Sequence, residues 1–145
     1  MIVDYTGKLN NHEDYLNILN KLYCKCDYIE IVIINGKSKN ELVLKFEKDI
    51  IDTKKESEWW GTKTNRNNYL YRIKSSKELF TYLRRFETFC KYYFYGDNDK
   101  TLRVGDYSEL TNFGFDDIAF YDNKENILLF TTTHEGYVSV RRDLI

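Results

Sequence analysis

The chain has 145 residues, 42% hydrophobic and 31% charged, with a formal net charge of −1. That balance fits one globular domain and excludes both a disordered tail and a strongly basic nucleic-acid binder. No apolar run approaches the roughly 20 residues of a membrane-spanning helix. Met1-Ile2-Val3-Asp4-Tyr5 lacks the basic start and apolar core of a secretory leader. Three cysteines, an odd number, do not make a disulfide framework. The expectation is a single cytoplasmic domain with no cofactor and no membrane partner.

In chain order, Met1 to Tyr5 is predicted as a short strand. Asn10 and Asn11 are good helix N-caps, and a helix follows from His12 to about Cys24. Its apolar face is Tyr15, Leu16, Leu19, Leu22 and Tyr23. Tyr28 to Ile34 is β-branched and nearly continuous in apolar character, as a buried central strand is. Asn35-Gly36 is a hairpin signal. Glu41 to Glu47 alternates, with Leu42, Leu44 and Phe46 on one side, and predicts a half-buried strand antiparallel to the one before it. Asp49 to Ser57 is mixed and charged. Glu58 to Thr62, with Trp59-Trp60 inside it, reads as a strand ending in a bend. Lys63 to Asn68 is polar and reads as an exposed loop. Asn68 to Ile73 alternates again.

Ser75 to Phe94 is the longest periodic segment. Leu79, Leu83, Phe86, Cys90 and Tyr93 share one helical face, and Ser75 with Glu78 has capping-box spacing. Gly96 to Asn112 is irregular. Asp117 to Tyr121, Ile127 to Thr133 and Tyr137 to Arg141 are predicted as a three-stranded meander, with Val138 and Val140 on one face. Strands outnumber helices and do not alternate with them. The predicted fold class is α+β, mainly antiparallel, with two principal helices, the longer one (Leu79 to Tyr93) packed across the sheet.

Charge is segregated along the chain. From Lys54 to Lys91 there are ten Lys and Arg against four Asp and Glu, and from Gly96 to Glu135 three against nine. Such asymmetry steers charged partners unless folding brings the two regions together. The acidic residues Asp97, Asp99, Asp106, Glu109, Asp116 and Asp117 are therefore candidates for contact with a basic protein. Trp59 or Tyr107 is the candidate aromatic anchor, because large aromatics dominate binding hot spots. The basic, aromatic stretch supports a competing interface with nucleic acid through Lys63, Arg66, Arg84, Arg85 and Lys91. No RNA- or DNA-binding signature accompanies it, and a pI near 6.1 weighs against it.

Catalytic and metal patterns are incomplete. Cys24-x-Cys26 has one intervening residue and no second pair, so it does not make a zinc site. Asp97-Asn98-Asp99 opens like a calcium loop but places Leu102 and Ser108 where glycine and glutamate are needed. His134-Glu135 is the best local acid–base pair, yet adjacent strand residues face opposite ways.

The segments Gly114-Phe115-Asp116-Asp117-Ile118-Ala119-Phe120-Tyr121 and Phe130-Thr131-Thr132-Thr133-His134-Glu135-Gly136-Tyr137 are similar to small cytoplasmic immunity proteins of bacterial polymorphic or contact-dependent toxin systems. The resemblance covers the last third of the chain. It implies a non-catalytic protein that binds and blocks a toxin domain, and it assigns no residue to that task. The competing expectations are a nucleic-acid-associated module and a small enzyme with a pocket around His134 and Glu135.

Overall fold

A computed structural model describes residues 1–9, 11–33, 41–55, 58–59, 62–63, 68–85, 93–95, 102–104, 117–132 and 137–145. The centre is a seven-stranded sheet in which every pairing is antiparallel. Its strands are β1 (Ile2–Asp4), β2 (Tyr28–Ile33), β3 (Ile50–Lys55), β6 (Tyr69–Lys74), β9 (Asp117–Tyr121), β10 (Ile127–Thr132) and β11 (Tyr137–Arg141). They lie in the order β1-β11-β10-β9-β2-β6-β3. Two short ribbons, β4 (Glu58–Trp59) with β5 (Thr62–Lys63) and β7 (Tyr93–Tyr95) with β8 (Leu102–Val104), pair apart from it. The α+β class and the antiparallel sheet are as the sequence predicts.

Helix α1 (His12–Lys25) starts where its cap demands. Asn11 is extended, and its side chain accepts the N–H of Asp14 at 2.9 Å. Tyr15, Ile18, Leu19 and Leu22 form the buried stripe, while Tyr23, expected on the apolar face, is exposed. Tyr15 carries its hydroxyl into the core and donates it to the Leu83 carbonyl at 2.5 Å. A buried hydroxyl needs such an acceptor, and this one ties α1 to the end of α3 (Lys77–Leu83).

One core joins these elements. Ile29, Ile31, Ile73, Ile118, Phe120, Leu129, Val138 and Val140 supply the sheet's helix-side face. Leu79, Phe80 and Leu83 of α3 close over it with α1. Strand β2 runs between β6 and β9, which is why its sequence tolerates so few polar residues.

Several expectations are corrected. Glu41–Glu47 is not a strand: Glu41–Lys45 is the short helix α2, followed by a 3₁₀ turn over Glu47–Asp49. Leu42, Val43 and Phe46 are buried and follow a helical spacing, whereas Leu44 is 57% exposed. The neighbours of β2 are accordingly β6 and β9. The helix expected over Ser75 to Phe94 ends at Leu83, and Tyr93-Phe94-Tyr95 is strand β7. The aromatic composition of Tyr93-Phe94-Tyr95 suits a pleated ribbon. The cap is Ser76, whose Oγ accepts the Leu79 N–H at 3.1 Å, while Ser75 uses its own N–H on the Asp27 carbonyl. Leu79 and Leu83 are buried as expected, but α1, not this helix, is the longer of the two. Phe86, Cys90 and the Asn35-Gly36 turn lie outside the described residues.

Candidate functional site

The pleat sends Ile29 and Ile31 toward the helices and Tyr28, Glu30 and Val32 to the other face of the sheet. There Val32, Leu70 and Ala119 make a second, smaller cluster, with Tyr121, Ile127 and Phe130 packed against it. The registers place Tyr28 opposite Tyr121, and Glu30 between Arg72 on β6 and Ala119 on β9. Alanine is small and leaves room beside a carboxylate.

Glu30 is only 6% exposed, unusual for a glutamate, and it is partnered. Arg72 donates Nη2 to its Oε2 at 3.1 Å and Nε at 3.3 Å. The same guanidinium lies 4.4 Å from the centroid of the Tyr28 ring. Tyr28 in turn stacks on Tyr121 at 4.9 Å between centroids and 12° between planes. Glu125 reaches the outer side of Arg72 at 4.0 Å from Nη1. Three strands, β9, β2 and β6, are thus tied by one ladder of ring, ring and guanidinium.

The electrostatics follow from burial. Burial first, and then the Glu30 charge, push the Tyr121 hydroxyl far above its ordinary range. The Tyr28 hydroxyl is raised mainly by burial, against the opposing pull of Arg72. Both stay protonated at neutral pH, so neither serves as a base. Arg72 meets two carboxylates, one buried and one 75% side-chain exposed. The cluster therefore holds charge in place and presents an acidic residue, Glu125, at its rim. Glu125 sits in the left-handed region (φ 64) in the turn after β9. Asp122 organises that turn by accepting the N–H groups of Lys124 and Asn126, each at 2.9 Å.

A second charged cluster lies at the end of β11. Arg141 donates to Asp122 at 2.9 Å and to Asp143 at 2.7 Å, and Lys25 reaches Asp143 at 2.9 Å. Arg141 and Lys25 together hold the Asp143 carboxyl well below its ordinary range. Asp122 is also held low: burial opposes the shift, and the Asn126 N–H and Arg141 outweigh it.

Of the acidic residues expected to meet a partner, Asp97, Asp99, Asp106, Glu109 and Asp116 lie outside the described residues, as does Tyr107. Asp117 does not belong to an exposed face. It is 4% exposed in β9, and its Oδ1 accepts the Thr131 hydroxyl at 3.4 Å. Its place in the sheet beside β2 buries it. For Trp59 and Lys63 the structure gives the backbone, in the β4–β5 ribbon. Among the basic residues, Arg66 and Lys91 lie outside the described residues. Arg84 and Arg85 are exposed at the end of α3. Arg84 donates to Asn20 on α1, and Arg85 stands 5.1 Å from the Tyr82 ring, which Lys45 also approaches at 5.9 Å.

Cys26 is half-buried, and burial pushes its thiol up to about 12, so it is not a thiolate at neutral pH. Its Sγ donates to the Tyr28 carbonyl at 3.3 Å, while Cys24 is exposed. Among the described residues no three His, Cys, Asp or Glu side chains gather as a metal site. His134 and Glu135 lie outside them. Among the described residues no helix is long and apolar enough to cross a membrane.

The Glu30 cluster escaped the sequence reading, although a signal was there. A glutamate in the middle of a buried strand needs a cationic partner, and Arg72 stands in another strand at the equivalent depth. No family model, curated protein or solved structure matches this chain. What the fold defines is a class: an antiparallel sheet with helices over one face and a charged, aromatic ladder on the other.

Proposed function

We propose that this protein is a non-catalytic binding module that neutralises a basic partner protein, namely a bacterial toxin domain, as an immunity protein in the cytoplasm. The observation that carries the reading is the segregation of charge, nine acidic residues against three basic ones between Gly96 and Glu135. Lys54 and Lys55 lie on β3, three places from β9 in the sheet order. Arg72 of the basic region, on β6, reaches Glu125 of the acidic one at 4.0 Å. Asp97, Asp99, Asp106, Glu109 and Asp116 supply the attracting field, together with Glu125, whose side chain is 75% exposed. Asp117, being buried, is removed from the set. Trp59 or Tyr107 supplies the anchor.

Rim carboxylates act mainly on the association rate and its salt dependence. The experiment measures association with the protein encoded by the adjacent gene, after Asp97, Asp99, Asp106 and Glu109 are changed to their amides. The expected result is slower association with a shallower salt slope and little change in dissociation. Unchanged association rate and salt slope would show that these carboxylates are merely solvated. Absence of binding to the neighbouring protein would remove the immunity reading.

A further inference from the structure

The last strand of the sheet, β3, has β6 as its only neighbour among the described strands. Ile51, Asp52, Thr53, Lys54 and Lys55 are all exposed along it. The register shifts between Ile50 and Asp52, and from Asp52 onward the pairing with β6 is regular. The Thr53 N–H donates to the Asp52 Oδ1 at 2.9 Å, so a neighbouring side chain satisfies it. The opposite edge, β1, is only three residues long.

An exposed edge of this kind is a template for another strand. Here the sequence is complementary to itself. Two copies of β3 laid antiparallel about a two-fold axis at Thr53 place each Asp52 directly opposite the partner's Lys54. Both residues point to the same face of the sheet, because they are two apart. The axis yields this opposite-charge pair twice, as an isologous interface requires. In that arrangement the Thr53 N–H exchanges its own Asp52 carboxylate for the partner's Thr53 carbonyl.

We propose that the protein self-associates through β3, joining two seven-stranded sheets edge to edge in a symmetric dimer. This does not rest on the toxin-binding reading. The contact is small beside the roughly 1,200 Å² of a stable interface, so the dimer is weak and forms at high protein concentration. Lysines on an edge strand can instead serve to repel other strands, and the experiment separates the two roles.

Sedimentation velocity of the full chain, run from low micromolar concentration to the solubility limit, reads the monomer–dimer equilibrium. The native chain is expected to shift toward dimer as concentration rises. Asp52→Lys or Lys54→Asp alone sets like charges opposite each other twice and is expected to weaken association roughly tenfold or more. The double exchange, Asp52→Lys with Lys54→Asp, re-creates both pairs and is expected to restore dimerisation. Unchanged circular dichroism and thermal midpoint in each variant establish that the fold is intact. A native chain that stays monomeric at every concentration overturns the proposal. So does a dimer indifferent to both single exchanges.

Discussion

Glu30 and Arg72 face each other across β2 and β6, and their ion pair lies on the same face of the sheet as its second, smaller hydrophobic cluster. The pair is asymmetric, because Glu30 is buried while the Arg72 side chain keeps 28% of its surface in water. Removing the arginine therefore costs more than removing the glutamate. Arg72→Met leaves a buried carboxylate without its cation and is expected to cost about 3 kcal/mol of unfolding free energy. Glu30→Gln keeps the shape and a hydrogen-bond acceptor, and is expected to cost about 1 to 2 kcal/mol. Urea unfolding of the two single variants and the double variant checks this. A coupling energy near zero would show that the two side chains do not stabilise each other.

The local structure of residues 41–45 can be tested without a new structure. In a strand, Leu42 and Leu44 would point the same way and respond alike to truncation. In helix α2 they do not, since Leu42 is 1% exposed and Leu44 57%. Leu42→Ala is expected to cost about 2 to 5 kcal/mol, as core leucines do. Leu44→Ala is expected to fall within about 0.5 kcal/mol of the native chain. Equal losses at both positions would contradict the helix.

The carboxylates around Arg141 predict an acid limb in stability. Asp122 and Asp143 are both held below their ordinary values in the folded chain. A carboxylate depressed by folding stabilises the native state above its unfolded pKa, near 3.9, and loses that contribution as pH falls through its folded value. The contribution is thus complete at neutral pH and declines below about pH 4 to 5. Arg141→Met removes the cation common to both groups. It is expected to lower the thermal midpoint slightly at neutral pH, because exposed ion pairs are screened by solvent, and to flatten the acid limb. Thermal midpoints measured for both proteins between neutral pH and pH 2 read the difference. Parallel curves would show that Arg141 does not depress these groups.

Much of the architecture was legible because the chain's local signals agree with its fold. Asn11 marks the start of α1 by the chemistry of its side chain, and that start does not depend on tertiary contacts. Tyr28 to Ile33 declares an interior strand through its apolar run, since a strand with neighbours on both sides must suit a dry environment. The C-terminal meander is visible because its strands are consecutive and separated by short polar stretches of sequence. Strand β3 was not legible: exposed on both faces at the edge, it has no face to keep apolar and so carries no alternation.

The tertiary structure alone decided the rest. The segment 41–45 has both a strand pattern and a helix pattern, and packing chose between them, since only a helix buries Leu42, Val43 and Phe46 together. Phe46 then meets the Tyr82 ring edge-on at 5.7 Å, from an element more than thirty residues away. The candidate site is of the same kind. Tyr28, Glu30, Arg72, Tyr121 and Glu125 come from three strands and a turn, and no spacing along the chain relates them. Composition and local pattern determined that there would be an antiparallel sheet under helices. Which strands lie side by side determined that a buried glutamate would find its arginine, because register is a long-range choice that the sum of packed side chains makes.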